Sequence, residues 1–103
     1  MPKLVGPSKV RISSGVAQGL LIREIKPSYP TLAVQARVQG SVLLQAVIAK
    51  DGTVHDLRVV SGHPLLVKAA LDAVRQWRYK PYLLNGQPVE VDTQIVVNFT
   101  LNR

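Results

Sequence analysis

The chain has 103 residues, enough for one compact domain with a modest core and too few for two. It contains no cysteine, which excludes a disulfide framework and thiolate metal sites, and no apolar run approaches the ~18 to 20 residues of a membrane-spanning helix. Thirteen Lys and Arg against six Asp and Glu give a formal charge of +7, which favours acidic partners, but the basic residues are dispersed, with none denser than Arg75 to Lys80.

Met1 to Lys9 carries two prolines, a glycine and no periodicity, so residues 1–9 read as a tail or the end of a linker, without the apolar region of a signal peptide. A single domain is expected over residues 10–103, with its core in 26–101. Val10 to Ser14 and Leu20 to Ile25 are short extended candidates separated by Gly15 and Gly19. Pro27-Ser28-Tyr29-Pro30 enforces an extended approach, because the residue before a proline is pushed out of the helical region. Pro30 suits the start of a helix over Thr31 to Gln39, with Leu32, Ala33, Ala36 and Val38 inward and Gly40 as its left-handed cap.

Ser41 to Lys50 is apolar on both parities, the pattern of a central strand covered on both faces. Asp51-Gly52 then predicts a type I′ hairpin turn, and Thr53 to Ser61 returns as the second strand. The apolar parity changes between Val54 and Leu57, which predicts a bulge near His55-Asp56. Pro64 opens a second helix whose Leu66, Ala69, Ala70, Ala73, Val74 and Trp77 share one face while Lys68, Asp72, Arg75 and Gln76 share the other. Pro81 stops it, and Asn85-Gly86 turns a small hairpin from Tyr82 to Leu84 into Gln87 to Val91.

The last stretch, Val89 to Leu101, alternates with period two: Val89, Val91, Thr93, Ile95, Val97, Phe99 and Leu101 form a largely apolar row, and Glu90, Asp92, Gln94, Val96, Asn98 and Thr100 a largely polar one. Successive side chains of a strand point to opposite faces, so this is a strand with one buried and one wet face, ~40 Å long if fully extended. The expected fold is α+β: a two-layer domain with a three-stranded antiparallel sheet and two helices on one face, plus an N-terminal extended segment and a small hairpin. The final strand is its edge, with main-chain groups free to pair with another chain.

Catalytic chemistry is not indicated. His55 and His63 have no second ligand at metal spacing, Ser61-Gly62-His63 lacks a nucleophile-elbow context, and no glycine pattern cradles phosphate. No catalytic, cofactor-binding or metal residue is assigned. Trp77 amid Arg75, Arg78, Tyr79, Lys80 and Tyr82 raises base stacking, but these aromatics fall at helix and turn positions, so Trp77 is read as closing the core.

One set of features resembles a known family, the C-terminal domain of the energy transducer TonB. These are Pro27-Ser28-Tyr29-Pro30 followed by Ala33 and Ala36, then Gly40-Ser41-Val42, Asp51-Gly52-Thr53-Val54, and Leu65 with Ala69-Ala70. After them come Trp77-Arg78-Tyr79-Lys80-Pro81, Asn85-Gly86-Gln87-Pro88-Val89 and the alternating Ile95 to Phe99. The resemblance implies a periplasmic domain whose full-length protein begins with an inner-membrane helix, through which it meets an inner-membrane motor complex. It further implies outer-membrane transporters as partners, whose N-terminal segment, the TonB box, adds as a strand to the domain's last strand. Carried over by position, the partner-binding candidates are Lys26, Pro27, Tyr29 and Pro30 before the first helix. On the last strand they are Val91, Asp92, Thr93, Gln94, Ile95, Val96, Val97, Asn98 and Phe99. Lys26 stands where the family often has a glutamine. No cofactor is implied.

Strand addition supplies affinity through main-chain hydrogen bonds and selectivity through alternate side chains, which suits a long one-sided strand. Two rivals belong to other classes. A basic nucleic-acid-binding module would follow from the +7 charge and would bind with steep salt dependence. A self-association domain would pair the same edge with a second copy in a strand-exchanged homodimer.

Overall fold

The computed structural model describes residues 10–101, so the tail reading for Met1 to Lys9 lies outside the described residues. In chain order the elements are β1 (Val10–Arg11), α1 (Ser14–Leu20), β2 (Leu21–Arg23), α2 (Thr31–Gln35), β3 (Gly40–Ile48) and β4 (Val54–Ser61). They continue with α3 (Pro64–Val74), β5 (Arg78–Tyr79), β6 (Tyr82–Leu84), β7 (Gln87–Val89) and β8 (Val91–Phe99). The main sheet has the order β1-β8-β3-β4, with two small two-stranded sheets, β2-β5 and β6-β7.

The α+β class and the placing of the final strand beside the first are as expected: β8 runs antiparallel to β3, from Val91 opposite Ile48 to Phe99 opposite Gly40. The expected three-stranded antiparallel sheet is corrected to a mixed sheet of four, because β1 lies parallel to the start of β8, Val10 opposite Val91 and Arg11 opposite Asp92. The two expected helices are three. Gly15 and Gly19, read as separators of extended segments, both lie inside α1. Ser13 overrides them as N-cap, its Oγ accepting from the Val16 amide at 3.1 Å, and Ala17 anchors the helix at 2% exposure.

Two local expectations are also corrected. The first expected helix stops at Gln35 instead of Gln39, with Arg37 and not Gly40 as the left-handed residue (φ 56°). The Val38 amide reaches back to the Ala33 carbonyl at 2.8 Å, the six-to-one bond of a Schellman motif, which satisfies a helix-end carbonyl early. As a result Ala33 is fully buried and Val38 half-buried, whereas Leu32 and Ala36 are exposed. In the first hairpin only Gly52 has positive φ, so the turn is not type I′. The Gly52 amide donates to the Ala49 carbonyl at 2.9 Å and the Ala49 amide to the Thr53 carbonyl at 2.8 Å, a type I turn followed by a left-handed glycine. Asn85 and Gly86, at φ 52° and 78°, make the expected tight turn between β6 and β7.

The core lies between the sheet and α3. Val42, Leu44, Ala46 and Ile48 of β3 and Val91, Ile95, Val97 and Phe99 of β8 face Leu66, Ala70 and Val74 of α3, and α2 adds Ala33 from its contact with α3. The other face of β3 is only partly covered: Ser41 is exposed, Leu43 and Gln45 half-buried and Val47 buried, so the strand is central without a full second layer. β4 is bulged twice against β3, between the pairs Gln45–Arg58 and Val47–His55 and again between Leu43–Ser61 and Leu44–Val59. The first bulge places Asp56 at φ 52°, where the parity change predicted it.

Candidate functional site

Every second residue of β8 is buried from Val91 to Phe99, and Gln94, Val96 and Asn98 are exposed, so the alternation of the sequence is the alternation of the strand. The strand is nine residues long, shorter than the stretch 89–101, because Val89 belongs to the β6-β7 hairpin. Peptide groups alternate as side chains do, so one parity bonds to β3 and the other points away from it. The outward parity is the even one, since Val10 N–H donates to the Glu90 carbonyl at 3.3 Å and Ile12 N–H to the Asp92 carbonyl at 3.1 Å. Beyond Asp92 the outward peptide groups of Gln94, Val96 and Asn98 have no backbone partner among the described residues.

The expectation that β8 is a bare edge is thereby corrected. Its first third is paired with β1, and Thr93 Oγ1 donates to the Ile12 carbonyl at 2.8 Å from a side chain 2% exposed. Its middle faces α1 across a 240 Å³ pocket lined by Ser14, Ala17, Gln18, Tyr79, Gln94 and Val96 among others. Its last third opens onto a 480 Å³ groove whose other wall is the segment 24–29.

That groove brings together Lys26, Pro27, Tyr29, Val96, Val97, Asn98 and Phe99. Pro30 faces away from it, into a 590 Å³ groove between α2 and α3 that Lys26 and Pro27 also border. Val91 and Asp92 lie under β1, and Gln94 and Ile95 under α1. The wall at 24–29 is held from three sides. Trp77, 3% exposed, donates its Nε1–H to the Ile25 carbonyl at 2.8 Å; the Tyr29 hydroxyl donates to the Val38 carbonyl; and the Tyr29 ring meets Phe99. The core reading of Trp77 holds, and the same residue also positions the groove.

Sequence reasoning passes over Gln18, Glu24, Trp77 and Thr100 as groove residues. Glu24 precedes Lys26 by two in an extended segment, a spacing that puts both on one side. Gln18 carries no signal, because it lies in the stretch from Gly15 to Gly19 that only separates the two extended candidates. The hydroxyl of Tyr79, which lines the pocket between α1 and β8, has its pKa pushed up to about 12 by burial and by the nearby Glu24 carboxylate. No group of three or more His, Cys, Asp or Glu side chains able to hold a metal occurs among the described residues. The site therefore offers an open ladder, the rings of Tyr29, Trp77 and Phe99, and the opposite charges of Glu24 and Lys26, an arrangement that can hold an extended peptide.

Residues 25–101 match the family model described as Gram-negative bacterial TonB protein C-terminal, and the chain belongs to that family. Protein TonB of Xanthomonas campestris pv. campestris strain B100 is 37% identical over 78 residues, which cover 74% of this chain and 35% of that protein. Protein TonB of Escherichia coli K12 is 32% identical over 75 residues, covering 71% of this chain and 28% of the relative. The chain thus spans about a third of the length of the curated relatives it matches. Among solved structures, the solution NMR structure of the Pseudomonas aeruginosa TonB C-terminal domain aligns with a TM-score of 0.66 at 27% identity, covering 81% of this chain and 86% of that one. The TonB2 protein of Vibrio anguillarum aligns with a TM-score of 0.60 at 26% identity, covering 100% and 99% of the two chains.

Proposed function

We propose that this domain is the periplasmic, peptide-docking end of a TonB-type energy transducer. The TonB box of an outer-membrane transporter adds as a strand to β8, and the work of an inner-membrane proton-driven complex reaches the transporter through that ladder. The observation that carries the reading is the unpartnered outward row at Gln94, Val96 and Asn98, opening onto the groove walled by Lys26, Pro27 and Tyr29, in a chain of this family. No catalytic residue is needed, because the task is to hold and pull. β8 is bonded along its whole length to β3, so a load along the strand shears many hydrogen bonds at once and does not peel them singly.

The test is an NMR titration with a synthetic transporter TonB-box peptide. Amides of Val96 to Phe99 and of Lys26 to Tyr29 shift together if the peptide adds at this edge. Shifts confined to the groove between α2 and α3 overturn the reading. The same edge also accepts a second copy, and sedimentation over a range of concentrations separates that use from a monomeric adaptor. The nucleic-acid alternative rests on net charge alone and predicts salt-sensitive binding to DNA or RNA.

A further inference from the structure

The outward row of β8 is already in use at one end. Val10 and Ile12 occupy the carbonyls of Glu90 and Asp92, Thr93 Oγ1 ties the Ile12 carbonyl down, and the chain then turns through Ser13 into α1. α1 presses Ala17 into the core and walls the pocket over Gln94, Ile95 and Val96. An added strand must run ~4.8 Å from β8, and a helix about 10 Å across cannot stay against the same edge while it does. Only the end near Asn98 is clear, so a peptide pairing back past Val96 displaces α1 first and β1 next.

We infer that β1 and α1 are a resident placeholder on the β8 edge, which an incoming strand must displace, so that peptide affinity is set by the placeholder's stability as well as by the edge. This inference rests on the strand-addition reading. α1 has seven residues, two of them glycine. A free helix of that length is not stable in water, so on release it unravels and its full helical stability opposes binding. Until a partner arrives the placeholder also hides part of an edge that would otherwise pair with any exposed strand.

The test changes the placeholder without touching the outward row. A Cβ at Gly19 meets nothing within 4 Å, and Gly19 borders neither the pocket nor the groove, so Gly19→Ala strengthens α1 alone. It should weaken binding of the synthetic TonB-box peptide about fivefold. Thr93→Val removes the hydroxyl bond to Ile12 and should tighten binding about threefold or more. In wild-type protein the Val10 and Ile12 amides should lose their hydrogen-exchange protection when peptide binds. Val96→Pro, which deletes an outward N–H, serves as the control. If Gly19→Ala and Thr93→Val both bind as wild type while Val96→Pro loses binding, the placeholder is overturned and strand addition stands. If Val96→Pro binds as wild type, strand addition fails and the placeholder fails with it.

Discussion

The ring of Tyr29 meets the ring of Phe99 edge to face, with centroids 5.4 Å apart and planes at 82°. Such a pair contributes about 0.5–1.5 kcal/mol beyond the area it buries. One ring belongs to the extended segment ahead of α2 and the other to the last residue of β8, so the contact sets the width of the groove between them. Phe99, 4% exposed, also plugs the core, and Phe99→Ala should cost about 3–5 kcal/mol. Tyr29→Phe keeps the ring and loses only the hydroxyl bond to the Val38 carbonyl, for about 1 kcal/mol. Urea denaturation of both variants and of Tyr29→Ala/Phe99→Ala as a double-mutant cycle checks these values; additive losses would mean the rings do not couple.

Proline along β8 should act by parity. At Val96 it removes an N–H that points outward, so the domain should stay folded while transporter-peptide binding weakens. At Val97 it breaks a bond to β3 inside the sheet, opposite Val42, and should cost about 3 kcal/mol or more. Circular dichroism melts paired with peptide titration separate the two outcomes. Equal destabilisation by both prolines would contradict the outward assignment of the even row.

Two glycines at positive φ should respond differently to alanine. At Gly52 (φ 88°) an added Cβ would lie 1.9 Å from the Tyr79 carbonyl oxygen, where β5 crosses the turn and the Tyr79 amide donates to the Gly52 carbonyl at 2.9 Å. At Gly86 (φ 78°) nothing lies within 4 Å. Gly86→Ala should cost only the left-handed penalty of about 1–2 kcal/mol, and Gly52→Ala clearly more, because backbone must move. Thermal melts of the two variants side by side give the ranking.

Alkaline pH should weaken the fold through Tyr79. Its folded pKa, about 12, lies above the ordinary 10.0, so the folded state holds the phenolic proton longer than the unfolded chain does. The contribution is complete below pH 10 and is lost as pH rises through 12, reduced by screening from the solvent near the hydroxyl. Tyr79→Phe has no proton to lose. The difference in urea midpoint between wild type and Tyr79→Phe should therefore change between pH 9 and pH 11 in favour of the variant, and a constant difference would refute the assignment.

Period-two patterning makes the two faces of β8 legible, though not its ends, since burial of an alternate row is the same physical fact in the sequence and in the strand. The parity slip that betrayed the bulge at Asp56 was legible for the same reason. α1 was not. Its glycines argue against a helix by intrinsic propensity, and what outweighs them is the Ser13 cap and the docking of Ala17 on a strand more than seventy positions away, a tertiary contact no local pattern carries. The pairing of Val10 with Val91 was hidden likewise, because two residues are too few to show a period. Consequently the sequence shows the edge but not its partial occupancy. The left-handed Arg37 defeats a propensity argument that reserves such positions for glycine or asparagine.

The two bulges of β4 make the far edge of the main sheet unlike the β8 side. β8 and β4 lie toward opposite sides of β3, and a flat, regular β4 would let a strand accepted on one side be answered by another on the far side, copy after copy. With Asp56 at φ 52° and a second register shift near Val60, the outer side of β4 is twisted out of register. If a strand adds at β8, the far side of the sheet therefore offers no flat, regular edge to answer it.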